Sequence, residues 1–373
     1  MSLYRQKWNF PVILCIWLLL VAVPAWSSAK TITDGIGRKV EIPEKVEYLI
    51  ASGSGALRLI TYLQGQDKIV AVDSMEKRRT IFDARPYALA NPQFKSCPLF
   101  GEFRGHDNPE LILSLEPQPQ VIIKAFSTTG YDPMELQQKT GIPVVVFNYG
   151  NLGWYRPDLY QALRICGQVL GKEKRAEAVI SYFDALVADL KQRTRDIAPE
   201  KRPSCFLGGV AHRGPHGFQS TEPGYPPFNF VGARNLAFDP SLKKQALQHG
   251  NIAKEKIVAW DPDILFVDLS TLQMGADAGA LHELKTDPAY RSLTAVKTNK
   301  VYGLLPYNWY TQNFGSILAN AYFIGTVLYP DRFSDMSPAA RADEIFTFLV
   351  GKAVFRQLDA TLGNLAFKPV ALD

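Results

Sequence analysis

The stretch ELILSLEPQPQVII, Glu110 to Ile123, and its echo EKIVAWDPDILFV, Glu255 to Val267, decide the architecture. Each begins with a glutamate, keeps helical apolar spacing for a turn or two, breaks at an acid–proline pair, and continues as an apolar run that reads as a buried strand. Copies 145 positions apart, Glu110 to Glu255, are too distant for a solenoid repeat and suit one domain each, so the chain reads as a duplicated α/β lobe. A ligand then belongs between the lobes.

Around the first copy, TITDGIGRKVEIP (31–43) predicts a hairpin turning at Gly35 to Gly37, and VEYLIASGSG (46–55) a strand ending in a small-residue loop. Leu57, Ile60 and Leu63 space a helix closed by Gly65. The strand KIVAVD, a loop from Ser74 to Gly105, the repeated helix and strand, and the strand IPVVVFNY complete the lobe. From Tyr160 to Ile197 the pattern is helical, with Gly167 and Gly171 its only weak points, so it reads as one helix or two joined near Gly171. Either way it is expected to span some 50 Å and brace two lobes. The second lobe opens with SCFLGGV at Ser204, passes a loop rich in Gly, Pro and aromatics through Phe230, and repeats the helix and strand. It reaches VYGLL, the aromatic loop Pro306 to Tyr310, and closing helices at Gln312–Leu328 and Pro338–Val350. The expected organisation is a leader at 1–29, an N-terminal lobe at 30–155, a linker helix at 156–197 and a C-terminal lobe at 198–373. The fold class is α/β, with two Rossmann-like lobes joined by a long rigid helix and a ligand cleft between them.

With 47% hydrophobic and 21% charged residues the composition is that of an ordinary globular protein. The formal charge of +5 falls to about +3 without the leader's Arg5 and Lys7, and no basic stripe carries interleaved aromatics, which argues against a nucleic-acid partner. Those two cations, the apolar run Phe10 to Val23 and the small residues Ser27-Ser28-Ala29 compose a secretory signal, with cleavage expected after Ala29. The apolar run falls short of the roughly 20 residues of a membrane span. Cys15 follows Leu14 instead of a small residue, a poor lipoprotein site. Cys97, Cys166 and Cys205 remain and allow at most one disulfide; Cys166 fits a buried apolar role, and whether Cys97 and Cys205 pair stays open.

An exported chain with two α/β lobes and a stiff helix between them resembles the helical-backbone class of ABC-importer binding proteins, which carry iron–siderophore, haem and cobalamin cargo. VEYLIASGSGALRLITYLQGQDKIVAVD, DNPELILSLEPQPQVII, the helix ending near Thr194 and NIAKEKIVAWDPDILFVD carry the likeness across nearly all of the mature chain. The family's opening helix usually holds a glutamate where this chain has Leu57 and Arg58, and no role is assigned there. The resemblance implies a periplasmic, monomeric protein that captures a metal chelate, foremost a ferric siderophore, and delivers it to an ABC permease dimer in the inner membrane. Haem and cobalamin are the alternatives, and an oxyanion cargo stays open. It also implies that Glu110 and Glu255, one per lobe, meet arginine pockets on the permease; a first-turn carboxylate is stabilised by the helix dipole while staying exposed for a partner.

In this architecture the loops at the strand ends wall the cleft. That nominates Ser52 to Ser54, Glu76 to Arg79, Glu102 to Arg104 and Ser127 from the first lobe. The second contributes His212, Arg213, His216, Tyr225, Phe228, Ser270, Tyr307, Trp309 and Tyr310. Arg78, Arg79, Arg104 and Arg213 suit anionic groups, Tyr225 and Phe228 suit stacking, and Thr221 or Glu222 suit hydrogen bonding to the cargo. His212 and His216 stand in an HxxxH spacing, but Gly214 and Pro215 break the helix that a metal pair needs, so metal is expected only within the bound chelate and no cofactor is assigned. A single axial histidine remains open for haem iron. The chain has no GxSxG, P-loop, GxGxxG or HExxH motif. A secreted hydrolase using Ser54 or Ser220 with His212 is the reading from another class.

Overall fold

Strands β1 (Ala29–Thr33) and β2 (Lys39–Pro43) form the expected hairpin. Asp34 shapes its turn by accepting from the amides of Ile36 and Arg38 and from the Arg38 guanidinium. The computed structural model describes residues 28–372 except 79–81, 244 and 246. The leader through Ser27, and with it most of the signal-peptide reading, lies outside the described residues.

The first-lobe sheet holds β3 (Leu49–Ser52), β4 (Ile69–Asp73), β5 (Leu99–Glu102), β6 (His106–Asp107), β7 (Val121–Ala125) and β8 (Val144–Phe147) in the order β6-β5-β4-β3-β7-β8, parallel except for β6. Every residue of β3, β7 and β8 is buried. Burial on both faces explains why these strands read as unbroken apolar runs. Helix α1 (Ala56–Tyr62) follows β3, α2 (Pro109–Leu113) precedes β7, and α3 (Pro133–Thr140) joins β7 to β8. Strand β5, two short α-helices and the 3₁₀ helix Pro92–Ser96 lie in the stretch Ser74–Gly105 predicted as loop. Sheet order reverses between β3 and β7, the place where open sheets bind ligands.

The helical stretch is a hairpin and not a 50 Å rod. Helices α4 (Arg156–Leu170) and α5 (Glu173–Thr194) meet at Gly171, whose φ of 65° is left-handed. They run antiparallel, with Arg164 on Glu177 and Tyr160 donating to Asp184. Helix α5 alone joins the lobes, spanning about 33 Å at 1.5 Å per residue.

In the second lobe β9 (Ser204–Gly208), β11 (Arg234–Asn235), β13 (Ile264–Asp268) and β14 (Val301–Leu304) form a parallel sheet in the order β11-β9-β13-β14, while β10 (Ser220–Thr221) pairs with β12 (Gly250–Asn251). Helix α6 (Lys254–Trp260) runs into β13 as α2 runs into β7, so the repeated phrase adopts the same unit twice. The closing helices α7 (Phe314–Leu328) and α8 (Pro338–Val350) turn back on the first lobe. Lys352 donates to the carbonyl of Ala90 (2.6 Å), and Arg175 of α5 donates to those of Tyr62 and Phe348. One apolar core therefore runs from Leu49 and Ile60 through Phe183 to Ile317 and Ile345. Cys97, Cys166 and Cys205 are free thiols. No helix among the described residues is long and apolar enough to cross a membrane.

Candidate functional site

The carboxyl ends of both sheets face one cleft of about 620 Å³. Its first-lobe wall comes from the loops after β3 (Ser54), β4 (Met75, Arg78, Asp83, Arg85), β5 (Phe103, Arg104) and β7 (Phe126, Thr129). The second-lobe wall comes from those after β9 (Ala211 to Gly214), β13 (Gln273) and β14 (Asn308 to Thr311). Eight nominated residues thus meet there: Ser54, Arg78, Phe103, Arg104, His212, Arg213, Trp309 and Tyr310.

The charge in the cleft is one-sided. Among the described residues Asp83 is the only acid in its lining, and it is bound by Arg85 (2.8 Å), which also holds buried Glu76 (2.7 Å). Arg78, Arg104 and Arg213 have no ion pair among the described residues. The first two flank the ring of Phe103, with guanidinium carbons 4.5 and 5.2 Å from its centroid. The exposed arginines are thereby held by cation–π contact while their donors stay open. Arg104 is aimed from below: buried Lys124 donates to the carbonyl of Gly105 (2.9 Å) and pairs with Asp107, to which Ser52 also donates (2.6 Å). Ser52 is therefore part of the floor and not of the lining.

Tyr310 crosses the cleft. Its hydroxyl donates to Asp73 and accepts from the amide of Arg104 (2.9 Å). Burial lifts Asp73 to about 7, against the hydrogen bond from Tyr310 that favours the carboxylate. Trp309 packs on Phe82 at 4.9 Å.

Other nominated residues sit elsewhere. Tyr225, Phe228 and Tyr307 are each 1% exposed and belong to the core, so they cannot stack on cargo. The reason is Glu222, buried beneath the wall: Tyr307 donates to it, burial raises its carboxyl to about 8, and Tyr225 packs on Tyr307. Ser270 is fully buried and donates to the carbonyl of Gly209, and Thr221 is buried too. Ser127 stands beside the lining residues Phe126 and Thr129 without joining them. Glu102 accepts from Ser74 and borders a separate groove. Arg79 lies outside the described residues.

His216 turns away, its Nε2 2.7 Å from the carbonyl of His212. His212 stacks on His249 at 4.1 Å, and burial lowers both imidazoles, His249 to about 4. Among the described residues no group of three or more His, Cys, Asp or Glu side chains is arranged to hold a metal ion. Ser220, a nucleophile in the hydrolase reading, is 1% exposed and bonds Val210 and His249 instead of His212. Phe126 and Gln273 carried no sequence signal, being ordinary residues placed by their strand ends.

Two α/β lobes closing on a solvent-open, arginine-lined cleft define a solute-capture protein. The chain belongs to the periplasmic binding protein family, whose model matches residues 53–307. It is 23% identical over 335 residues to the molybdate-binding protein MolA of Haemophilus influenzae, covering 82% of this chain and 87% of that one. The molybdate-bound structure of MolA superposes with a TM-score of 0.65 at 19% identity, over 87% of this chain and 98% of that one. A periplasmic solute-binding protein from Veillonella parvula gives 0.68 at 20% identity, over 91% and 97%. The iron-uptake system-binding protein of Bacillus subtilis is 25% identical over 195 residues, 52% of this chain and 54% of that one. The protein is a substrate-binding component of an ABC importer and not an enzyme.

Proposed function

We propose that the cargo is an anionic metal chelate, foremost a ferric siderophore, captured in the periplasm after the leader is removed and handed to a membrane permease. The observation that carries this reading is the set of three arginines without acidic partners around a cleft of about 620 Å³. That volume suits a drug-sized ligand, and Trp309 and Tyr310 offer aromatic surface to a bulky one. The likeness to an iron-uptake protein agrees with it. The likeness to a molybdate-binding protein supports the second reading, a bare oxyanion held by the same arginines. Haem and cobalamin are the alternative cargoes of the same architecture. Glu110 and Glu255, both exposed in the first turns of α2 and α6, are proposed to contact the permease.

Intrinsic fluorescence titration tests the cargo. Ferric tris-catecholate, ferric hydroxamate and ferric citrate are compared with haem, cobalamin, molybdate and uncomplexed zinc. Saturable quenching by a ferric chelate at one per chain, far tighter than by molybdate or zinc, is the expected result. Tighter binding of molybdate, or of a bare metal ion, overturns the chelate reading.

A further inference from the structure

Arg58 of α1 is, among the described residues, the largest side chain with no exposed surface, and no carboxylate stands among its hydrogen-bond partners. Its guanidinium reaches into the other lobe. Nη1 donates to the carbonyl of Gln312 (2.9 Å) and to the Tyr149 hydroxyl; Nη2 donates to the carbonyls of Trp309 (3.0 Å) and Tyr310 (3.2 Å). Tyr149 in turn donates to the carbonyl of Gln312 (2.9 Å). The rings of Tyr87 and Tyr149 lie 5.2 and 5.9 Å from the guanidinium carbon. One planar fork thus gathers three carbonyls of a single segment that is 251 to 254 positions away in sequence.

A buried cation without a contacting acid is costly, and here carbonyl dipoles and ring faces meet it directly while buried Glu76 acts on it from farther off. The segment it holds is itself unfavourable: Tyr310 and Thr311 have φ of 50° and 62°, in the left-handed region that side chains with a Cβ avoid. No glycine relieves it; within the loop Asn313 donates to the carbonyls of Tyr307 and Trp309, and the carbonyls of Tyr310 and Gln312 are gripped by the fork from the other lobe. The same segment carries Trp309 and Tyr310 into the cleft.

We propose that Arg58 is a positioning residue for cargo capture: it touches no cargo, and it holds the strap Trp309–Gln312 against the first lobe so that the aromatic wall exists before cargo arrives. The proposal rests on the cleft being the cargo site. Its consequence is kinetic. When the strap is in place only a fraction of the time, apparent affinity and association rate fall by that fraction, while dissociation of the formed complex does not change.

The test uses the full chain carrying Arg58→Lys, which keeps the charge but not the fork, and Tyr149→Phe, which removes one hydroxyl. Amide hydrogen exchange is followed without ligand in peptides covering the strap and strands β3, β7, β9 and β13. Exchange in the strap should accelerate about tenfold in Arg58→Lys and about threefold in Tyr149→Phe, with the strands unchanged. Stopped-flow binding of ferric tris-catecholate should show the association rate falling by the same factors and dissociation within twofold. Strap exchange at the wild-type rate in both variants, or acceleration spread equally over strap and strands, overturns the proposal. Should Arg58→Lys not fold, Tyr149→Phe decides alone by its strap exchange. Should the wild type bind no ferric chelate, the cargo reading falls, while exchange still decides the role of Arg58.

Discussion

Arg104, Phe126, Arg213, Tyr310 and Thr311 all have positive φ, and all line the cleft. Half of the ten such non-glycine residues among those described thus gather at one site, where strain is held by the surrounding structure and not by local preference. Arg104→Ala should weaken an anionic cargo by about 1.5–3 kcal/mol, the usual loss for a charge-assisted contact. Arg104→Gly should lose the same affinity yet be about 1 kcal/mol more stable than the alanine variant, because φ of 63° suits glycine. Calorimetric titration and denaturant midpoints separate the two effects. Glu222 supplies a second prediction. Its folded carboxyl is raised from 4.5 to about 8, so its stabilising contribution is full below the unfolded value and is lost as pH rises through about 8. Stability should climb as pH falls from 8.5 to 6.5, by up to about 1.4 kcal/mol per pH unit from this group. Glu222→Gln should flatten that slope in thermal melts. Asp73 and Asp268, both raised to about 7 by burial, act in the same direction, whereas the lowered His249 takes effect only as pH falls below 6.5 toward 4. Arg78, Arg104 and Arg213 were legible as cleft residues because each follows a strand end on the side that faces the other lobe. Tyr225, Phe228 and Tyr307 were misplaced because an aromatic beside glycine and proline looks alike whether it faces a ligand or a core.

At the scale of elements, the repeated phrase was readable because each copy holds a complete local instruction: a helix, a proline break and a strand buried on both faces. The helical stretch was readable as helix but not as hairpin. Gly171 marked a weak point, and only the packing of α4 on α5 decides that it reverses the chain. With φ of 65° and open space where a Cβ would stand, Gly171→Ala should cost about 1 kcal/mol from conformation alone. Urea denaturation checks this; an unchanged midpoint would mean the turn relaxes. Strand β5 was missed because LFGE is four residues long, contains a glycine and follows Pro98, so nothing local separates it from loop.

For the whole molecule, the two repeated units place Glu110 and Glu255 on opposite lobes, both exposed and neither in the cleft lining. Glu110→Ala with Glu255→Ala should therefore abolish uptake in a complemented transport assay while leaving cargo affinity intact. Normal uptake, or lost cargo binding, would reduce the repeat to architecture. The shared core, which α7 and α8 carry back into the first lobe, keeps the lobes in fixed relation and the two glutamates at fixed spacing. By itself the sequence determined the α/β class, the duplication and the loops that carry the cleft, since periodicity and proline breaks act over a dozen residues. Only the tertiary structure decided which aromatics line the cleft, that the lobes share one core, and that Arg58, given no role by the resemblance, grips a segment from the far end of the chain. Those outcomes depend on which surfaces meet across some 250 positions, and burial satisfies such long-range contacts without leaving a local pattern to read.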